Sequence, residues 1–272
     1  MPVGTHRTAV SDDRSVPTPI DYEPISAEDS TVVVVGGTSG IGRAISLAFA
    51  TEGANVVPTS RSDERVADTA EAVRERGSEA LAVTCDVTDR DSLETLADAA
   101  IERFGGVDIL VNSPGAIARA AVTDVTDDEW DRVLDVQLTG VHRTVQTFVT
   151  RTDVDSVVNV ASLSSLLGIE DLAAYSAAKG GIDGYTHAVA KDLGPDVRVN
   201  AVRPGFVATP QTADAYAEGS HRHERIVERS PMGRIGRPAD IAGAVVYLAS
   251  PAASYATGET ITVDGGFTPS AF

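Results

Sequence analysis

Tyr175 and Lys179 are the two residues whose types and spacing most clearly predict chemistry. A separation of four residues is about one helical turn, so the phenol and the ammonium would project from one face of a helix. A cation beside a phenol favours the phenolate and lowers a pKa that is ordinarily about 10. A tyrosine of this kind could exchange a proton with an alcohol near neutral pH. The alternative is a surface pair in which the lysine stem covers the tyrosine ring.

A glycine-rich segment directly follows the first apolar run of the chain. Thr31–Val35 is β-branched and apolar, glycines occupy positions 36, 40 and 42, and residues 43–52 have an amphipathic helical pattern. A strand, a glycine turn and a helix in this order allow the backbone to approach a pyrophosphate at the helix N-terminus. The spacing alone is a weak signal in a chain with 24 glycines, and its position between strand and helix strengthens it.

Alternating strand and helix patterns position these residues and continue along the chain. Such alternation implies right-handed βαβ units and a parallel sheet. The prediction is an α/β fold, a single doubly wound Rossmann-type parallel sheet with helices on both faces, over residues 31–272. Residues 1–30 are polar and proline-rich and are predicted to be a flexible N-terminal extension. Strands are predicted at 31–35, 54–60, 79–85, 107–111, 154–160, 197–202 and 260–263, and helices at 43–52, 63–76, 91–104, 126–150, 175–193 and 238–248.

The composition argues against several classes of partner. The formal net charge is −18, with twenty arginines and two lysines, and this charge opposes binding to nucleic acid and to anionic membranes. No apolar stretch reaches the length of a membrane-spanning helix or of a signal-peptide core. The single cysteine, Cys85, fits a reducing compartment, so we expect a cytoplasmic protein. The dispersed acid excess indicates a halophilic source, the alternative being an ordinary acidic mesophilic protein.

Polar and glycine residues follow six of the predicted strands. In an open parallel sheet, ligands bind outside the carboxyl ends of the strands, so these residues should converge on one crevice. The candidates, in strand order, are Gly36 to Gly42, Arg61, Asp86, Asn112, Ser162 and Arg203-Pro204-Gly205.

Taken together, these motifs resemble those of the short-chain dehydrogenase/reductase family over about residues 31–268. The carboxyl-terminal third is most similar to members that act on 3-oxoacyl thioesters or on sugars and sugar acids. The resemblance implies hydride transfer between a nicotinamide cofactor and a secondary alcohol or ketone. The motifs that carry it are Gly36-x3-Gly40-x-Gly42, Asp86-Val87, Asn112-x2-Gly115, Ser162, Tyr175-x3-Lys179, Arg203-Pro204-Gly205 and Val263-Asp264-Gly265-Gly266.

The resemblance assigns roles to the individual residues. Tyr175 would be the general acid/base, and Lys179 would lower its pKa and bind the nicotinamide ribose. Ser162 would hold the substrate oxygen, the alternative being an ordinary turn serine. Asp86 would bind the adenine edge, the alternative being an N-cap for the helix that follows.

The chain departs from the family pattern at three positions. Gln137 stands where the family has a catalytic Asn, which places its amide one methylene further out. Pro114 replaces a residue with a backbone donor, and Val35 stands where a Thr is common. These departures keep open a second hypothesis, a cofactor-binding sensor or scaffold protein without turnover.

The end of the second predicted strand indicates which dinucleotide binds. An acidic residue there would bind the ribose 2′-hydroxyl and repel a 2′-phosphate, but the chain has Ser60 and Arg61. We therefore expect NADP, with NAD possible; the alternative is that Arg61 pairs with Asp63 or Glu64. The expected cofactor-binding residues are Gly36, Thr38, Ser39, Gly40, Ile41, Gly42, Ser60, Arg61, Asp86, Val87, Asn112, Gly115, Tyr175, Lys179, Pro204, Gly205, Val207 and Thr209.

Two further segments bear on substrate and assembly. Residues 209–231 occupy the position of the family's substrate lid, and their polarity favours a polar small-molecule substrate. His221 and His223 within the lid lack the spacing of a metal site, so no metal is expected.

Gly180, Gly181 and Gly184 lie inside one predicted helix, where each costs about 1 kcal/mol relative to Ala. Close approach of another copy would explain them, and the resemblance implies a homo-tetramer; the alternative is packing against the chain's own sheet.

Overall fold

Six parallel strands form a single sheet in the computed structural model of the protein, which describes residues 23–269. The strand order is β2-β1-β3-β4-β5-β6, so the chain reverses its direction of travel between β1 and β3. This arrangement confirms the predicted doubly wound α/β sheet. The strands are β1 Thr31–Val35, β2 Asn55–Thr59, β3 Ile109–Asn112, β4 Ser156–Val160, β5 Arg198–Pro204 and β6 Thr260–Val263.

Helices cover both faces of the sheet because successive strand side chains point in opposite directions. Val32 and Val34 of β1 join an apolar cluster with α1, α2 and α8, whereas Val33 and Val35 join a second cluster with α3, α5 and α6. All five residues of β1 are buried, as expected for a strand covered on both sides. The helices are α1 Gly40–Thr51, α2 Asp63–Arg74, α3 Arg90–Phe104, α4 Asp127–Leu134, α5 Gly140–Arg151, α6 Ala173–Leu193, α7 His221–Arg229 and α8 Pro238–Ala249.

A capping motif sets the start of α4, and a π-helical turn separates α4 from α5. Thr126 and Glu129 form the predicted capping box at α4, each side chain accepting from the other residue's backbone N–H. The long helix predicted over 126–150 is divided: a π-helical turn, Asp135–Thr139, joins α4 to α5. Such turns are frequent at functional sites, and this one carries Gln137.

The strand predicted at 79–85 is wrong. This segment forms only one bridge, between Ala80 and Val56 of β2. Val56 donates to the Glu79 carbonyl and accepts from Leu81, but the next donor along that edge of β2 would be Pro58, which has no N–H. The ladder therefore ends after one step, and β2 is the edge strand of the sheet.

Most of the predicted N-terminal extension, residues 1–22, lies outside the described residues. Within the rest, Ala27 is 3% exposed and packs in the cluster with α1. The Ser30 carbonyl accepts a hydrogen bond from the Asn55 backbone N–H. Along residues 23–269, the helices are too short or too polar to cross a membrane.

Candidate active site

The carboxyl ends of the strands meet at a cavity of about 610 Å³. This volume lies within the range of small-molecule and cofactor sites. It opens at the point where the strand order reverses, as expected for a doubly wound sheet. Every expected catalytic or cofactor-binding residue lines this cavity except Asn112. Arg203, which the sequence also predicts at this crevice, does not line it, because its guanidinium pairs with Asp183.

The glycine turn after β1 is shaped by contacts of the chain with itself. Gly36 has φ +73°, and a Cβ on it would lie 2.1 Å from the Ser113 carbonyl oxygen. A Cβ on Gly42 would lie 2.1 Å from the Gly36 carbonyl oxygen. No larger residue fits at either position. Gly40, with φ +49°, begins α1 beneath the side chain of Thr209.

The N-terminus of α1 faces the cavity without a side-chain cap. Ser39 is the extended N-cap residue, and its hydroxyl accepts no hydrogen bond from the first turn. Ser39, Gly40 and Ile41 line the cavity, and the first backbone N–H groups of a helix have no partner within the helix. Together with the helix dipole, these N–H groups suit an anionic ligand such as a pyrophosphate.

A polar and cationic rim follows β2. The Thr38 hydroxyl donates to Ser60 Oγ at 2.8 Å. Arg61 and Arg65 are exposed and line the cavity, and neither side chain forms a hydrogen bond or ion pair within the described part of the chain. The pairing of Arg61 with Asp63 or Glu64 is therefore not observed. The sequence analysis did not predict Arg65. Its position four residues after Arg61, at the start of a predicted helix, could have indicated that the two side chains lie near each other.

Asp86 presents a carboxylate to the cavity. Its Oδ1 accepts from the Thr88 backbone N–H at 2.9 Å and from the Thr88 hydroxyl at 2.7 Å. Desolvation raises the pKa of Asp86, but these hydrogen bonds and the charge of Arg61 outweigh it, so its pKa is below the usual value. The N-cap of α3 is Asp89, so the alternative role for Asp86 does not hold. Val87 is buried beside it against Gly140.

Asn112 does not line the cavity, contrary to the expectation. Its Nδ2 donates to Asn159 Oδ1 at 3.0 Å, and Asn159 Nδ2 donates to the Thr186 hydroxyl at 3.1 Å. The last side chain of β3 therefore points between the sheet and α6, while Ser113 and the residues after it turn toward the cavity. Asn112 ties β3 and β4 to the helix that carries Tyr175.

Tyr175 and Lys179 share one face of α6 beneath the cavity. Lys179 is 3% exposed, and its Nζ donates to the Val160 carbonyl at 2.6 Å and lies 5.8 Å from the centroid of the Tyr175 ring. The surface-pair alternative is therefore excluded. Burial lowers the pKa of Lys179 to about 7, against the opposing charge of Asp183.

The pKa of Tyr175 is raised in this structure, whereas the sequence predicts a lowered pKa. Burial raises the pKa of Tyr175, and only a hydrogen bond with Ser162 and the charge of Arg119 lower it in part. The physical reason is that one buried environment disfavours both charged forms, phenolate and ammonium alike. Ser162 accepts from the Ser164 backbone N–H at 3.2 Å and lines the cavity beside the phenol.

Gln137 holds the loop after β3. Its Nε2 donates to the Ala116 carbonyl at 2.8 Å, and its Oε1 is buried without a partner among the described residues. An unsatisfied buried acceptor at a cavity wall can receive a hydrogen bond from a ligand or water. The side chain of Gln137, although one methylene longer than that of Asn, therefore lies inside the site.

The remaining wall combines apolar and charged groups. Ile169, Leu172, Phe206 and Tyr216 line it together with the exposed Arg119. None of these was identified from the sequence, because nothing local marks them and only the tertiary structure brings them to Tyr175. The described residues contain no cluster of three or more potential metal ligands.

Comparisons with known proteins agree with this geometry. The family model described as enoyl-(acyl carrier protein) reductase matches residues 35–268. The chain is 40% identical over 246 residues to 3beta-hydroxysteroid dehydrogenase 1 of Eggerthella lenta, covering 88% of this chain and 93% of that protein. It is 34% identical over 243 residues to the 3-oxoacyl-(acyl carrier protein) reductase FabG of Thermotoga maritima, covering 88% and 98%.

One solved structure is similar to the chain in both fold and sequence. The crystal structure of an actinorhodin polyketide ketoreductase with NADPH superposes with a TM-score of 0.82 at 35% identity, covering 89% of this chain and 98% of that one.

Proposed function

Because the chain belongs to the short-chain dehydrogenase/reductase family, whose members here are oxidoreductases of hydroxyl and carbonyl groups, we propose a specific activity for it. The protein is an NADP-preferring enzyme that interconverts a secondary alcohol and a ketone. The observation that carries the proposal is the placement of Tyr175, Ser162 and the buried Lys179 on the cavity into which the glycine turn opens. The substrate class is a 3-oxoacyl thioester or a sugar or sugar acid.

The cavity fits a dinucleotide. Gly36 and Gly42 keep its floor free of side chains, and the uncapped N-terminus of α1 would receive the pyrophosphate. Asp86 and Val87 would border the adenine, and Lys179 the nicotinamide ribose. When bound, the nicotinamide supplies or accepts the hydride.

Proton transfer is assigned to Tyr175. The raised pKa keeps the phenol protonated at neutral pH, which is the form that donates a proton as a carbonyl is reduced. The Ser162 hydroxyl, beside the phenol, would hold the same substrate oxygen. Lys179, with a pKa of about 7, can exchange a proton at neutral pH, and the free Oε1 of Gln137 would accept a hydrogen bond in this relay.

The preference for NADP rests on the rim after β2. Ser60, Arg61 and Arg65 offer a hydroxyl and two unpaired guanidinium groups, and none of the three would repel a 2′-phosphate. Asp86 also lines the cavity, and the charge of Arg61 contributes to the lowered pKa of its carboxyl group. NAD remains the second cofactor to test.

We also propose a cytoplasmic homo-oligomer, a tetramer by resemblance. Gly180 and Gly184 lie on α6 with open space where a Cβ would project, so the chain itself does not require glycine there. A Cβ on Gly181, in contrast, would lie 2.9 Å from Leu138 Cδ2. Close approach of a second copy to the Gly180–Gly184 face would account for the glycines that the chain's own packing does not explain.

A second candidate function is a cofactor-binding sensor or scaffold, favoured by Pro114 and Gln137. The discriminating experiment follows NADPH and NADH oxidation with 3-oxoacyl thioesters, ketosteroids and oxidised sugar acids. Turnover of any of these supports the enzyme, and NADPH binding without turnover of any supports the sensor. Repeating the assays at low and at molar salt tests the halophilic-source hypothesis.

A further inference from the structure

A second groove of about 980 Å³ adjoins the catalytic cavity. Ile169 and Phe206 line both spaces, so the two are direct neighbours. The groove contains none of the residues assigned to the cofactor. It therefore extends the side of the cavity where the substrate would lie.

Three aromatic rings lead from the cavity into the groove. Tyr216 lines the cavity, Phe206 lines both spaces, and Phe267 lines the groove. The centroids of Phe206 and Tyr216 are 5.7 Å apart and those of Phe206 and Phe267 are 4.8 Å apart, both edge to face. This row of rings provides an apolar path for an extended ligand.

One face of α7 places three arginines along the groove. Arg222, Arg225 and Arg229 are spaced by three and four residues, and all three line it. The Arg222 guanidinium lies 5.7 Å from the Tyr216 centroid and that of Arg229 lies 4.3 Å from the Phe267 centroid. The cationic side of the groove is therefore in contact with its aromatic path.

The positive charge of these arginines is only partly balanced within the described residues. Within residues 23–269 none of the three forms an ion pair, whereas seven other arginines do. Glu170 and Glu228 also line the groove, so three guanidiniums face two carboxylates. The whole chain has 40 acidic and 22 basic residues, so the local excess of positive charge is the reverse of the overall one.

We propose that the groove is an anion subsite for an elongated substrate whose ketone reacts at Tyr175. Its apolar segment would lie on the aromatic rings, and a carboxylate or phosphate at its far end would bind Arg225 and Arg229. This inference rests on the proposed function and narrows its substrate to an amphipathic ketone with an anionic end. Small uncharged sugars would leave the groove unused.

The test compares substrates that differ in charge at the far end. For a carboxylate, the pair is a long-chain oxo fatty acid and its methyl ester. For a phosphate, the pair is acetoacetyl coenzyme A and the uncharged N-acetylcysteamine thioester of acetoacetate. Each is assayed with wild type, Arg225→Gln and the control Arg76→Gln. The control removes the same charge from an exposed site just after the carboxyl-terminal end of α2, the end opposite Arg65.

For at least one pair, Arg225→Gln should lower kcat/KM of the anionic member about tenfold or more, chiefly through KM. The uncharged partner should change less than twofold, and Arg76→Gln should match wild type. Which pair responds identifies carboxylate or phosphate. Equal losses on both members of each pair, or no loss on any, would overturn the subsite.

A failure of the proposed function is distinguishable from a failure of the subsite. If wild type turns over no probe with either cofactor, the oxidoreductase proposal fails for these substrates. Calorimetric titration of the NADPH-bound full chain with the oxo acid and with acetoacetyl coenzyme A then decides the subsite. Binding that Arg225→Gln abolishes supports it, and absence of binding, or binding unchanged in the variant, refutes it.

Discussion

Asp183 and Arg203 form an ion pair with 2.8 Å between Oδ2 and Nη2, and their side chains are only 14% and 12% exposed. Asp183 lies one helical turn beyond Lys179 on α6. Arg203, in β5, also donates to Ser165 Oγ at 3.0 Å and to Thr262 Oγ1 at 2.9 Å. The pair therefore connects the part of α6 that carries Lys179 to β5, to β6 and to the loop after Ser162. Its carboxylate also opposes the effect of burial on the pKa of Lys179.

We expect Asp183→Asn to act on both stability and acid–base behaviour. Leaving Arg203 without its partner in a mostly buried site should cost about 3 kcal/mol in the free energy of unfolding, measured by urea denaturation. Loss of the carboxylate should lower the pKa of Lys179 further, so the corresponding limb of the pH–rate profile should move to lower pH. Asp192→Asn, an exposed position on the same helix, is the control. An unmoved profile would show that Asp183 does not influence Lys179.

Tyr175→Phe should abolish turnover while NADPH binding stays within a few-fold of wild type. The substitution removes the proton but keeps the ring and the shape of the cavity. Steady-state assays and fluorescence titration measure the two quantities. Tyr185→Phe, which removes a phenol further along α6, should keep its activity. Retention of a tenth of wild-type turnover by Tyr175→Phe would exclude Tyr175 as the acid/base.

The buried Lys179 should make stability depend on pH. Its pKa is about 7 in the folded chain, and an unfolded lysine titrates near 10.4. Between these values the unfolded chain binds the extra proton, so stability rises with pH across this window; below about pH 7 the folded state bears the full cost of the buried charge.

Lys179→Met removes that cost. As the pH falls from 10 to 6, the free energy of unfolding of the variant should rise relative to that of wild type by about 2 kcal/mol or more, measured by denaturation at each pH. Lys191→Met, at the only other lysine, which is exposed, should follow wild type. A constant difference between Lys179→Met and wild type across this range would mean that Lys179 has an ordinary pKa.

Arg61→Asp should shift the cofactor preference from NADPH toward NADH. The change removes a 2′-phosphate partner and adds repulsion, together about 1–3 kcal/mol, or roughly fivefold to 150-fold in the ratio of kcat/KM values. Arg76→Asp carries the same charge change away from the cavity and should leave the ratio unchanged. Arg61 is not at the phosphate if its own substitution leaves the ratio unchanged.

Gly184→Leu should divide the assembly without unfolding the chain. Its Cβ meets nothing within 4 Å, so the folded subunit has room for it, while a second copy packed on that face does not. Light scattering gives the mass and circular dichroism the fold. Gly181→Leu is the contrast, since a Cβ there contacts Leu138 and should destabilise the subunit itself. A Gly184→Leu variant with wild-type mass, or one that unfolds as a whole, would count against the interface.

The sequence by itself determined the features that depend on neighbouring residues. The valine run of β1, the glycine turn and the capping box of α4 are local patterns, and the structure has each where the pattern predicts it. The four-residue spacing of Tyr175 and Lys179 placed both on one face of α6 for the same reason. The alternation of strands and helices was sufficient for the doubly wound sheet.

Only the tertiary structure decided what depends on distant segments. Pro58 removes the donor that a strand at 79–85 needed, and the end of β3 turns Asn112 away from the cavity toward Asn159. The pKa of Tyr175 follows from burial by several elements, which no local pattern contains. Packing of α7 and Phe206 beside the cavity likewise brings together residues far apart in sequence. Spacing along the chain fixes which side chains share a face, whereas desolvation and charge depend on everything that packs against them.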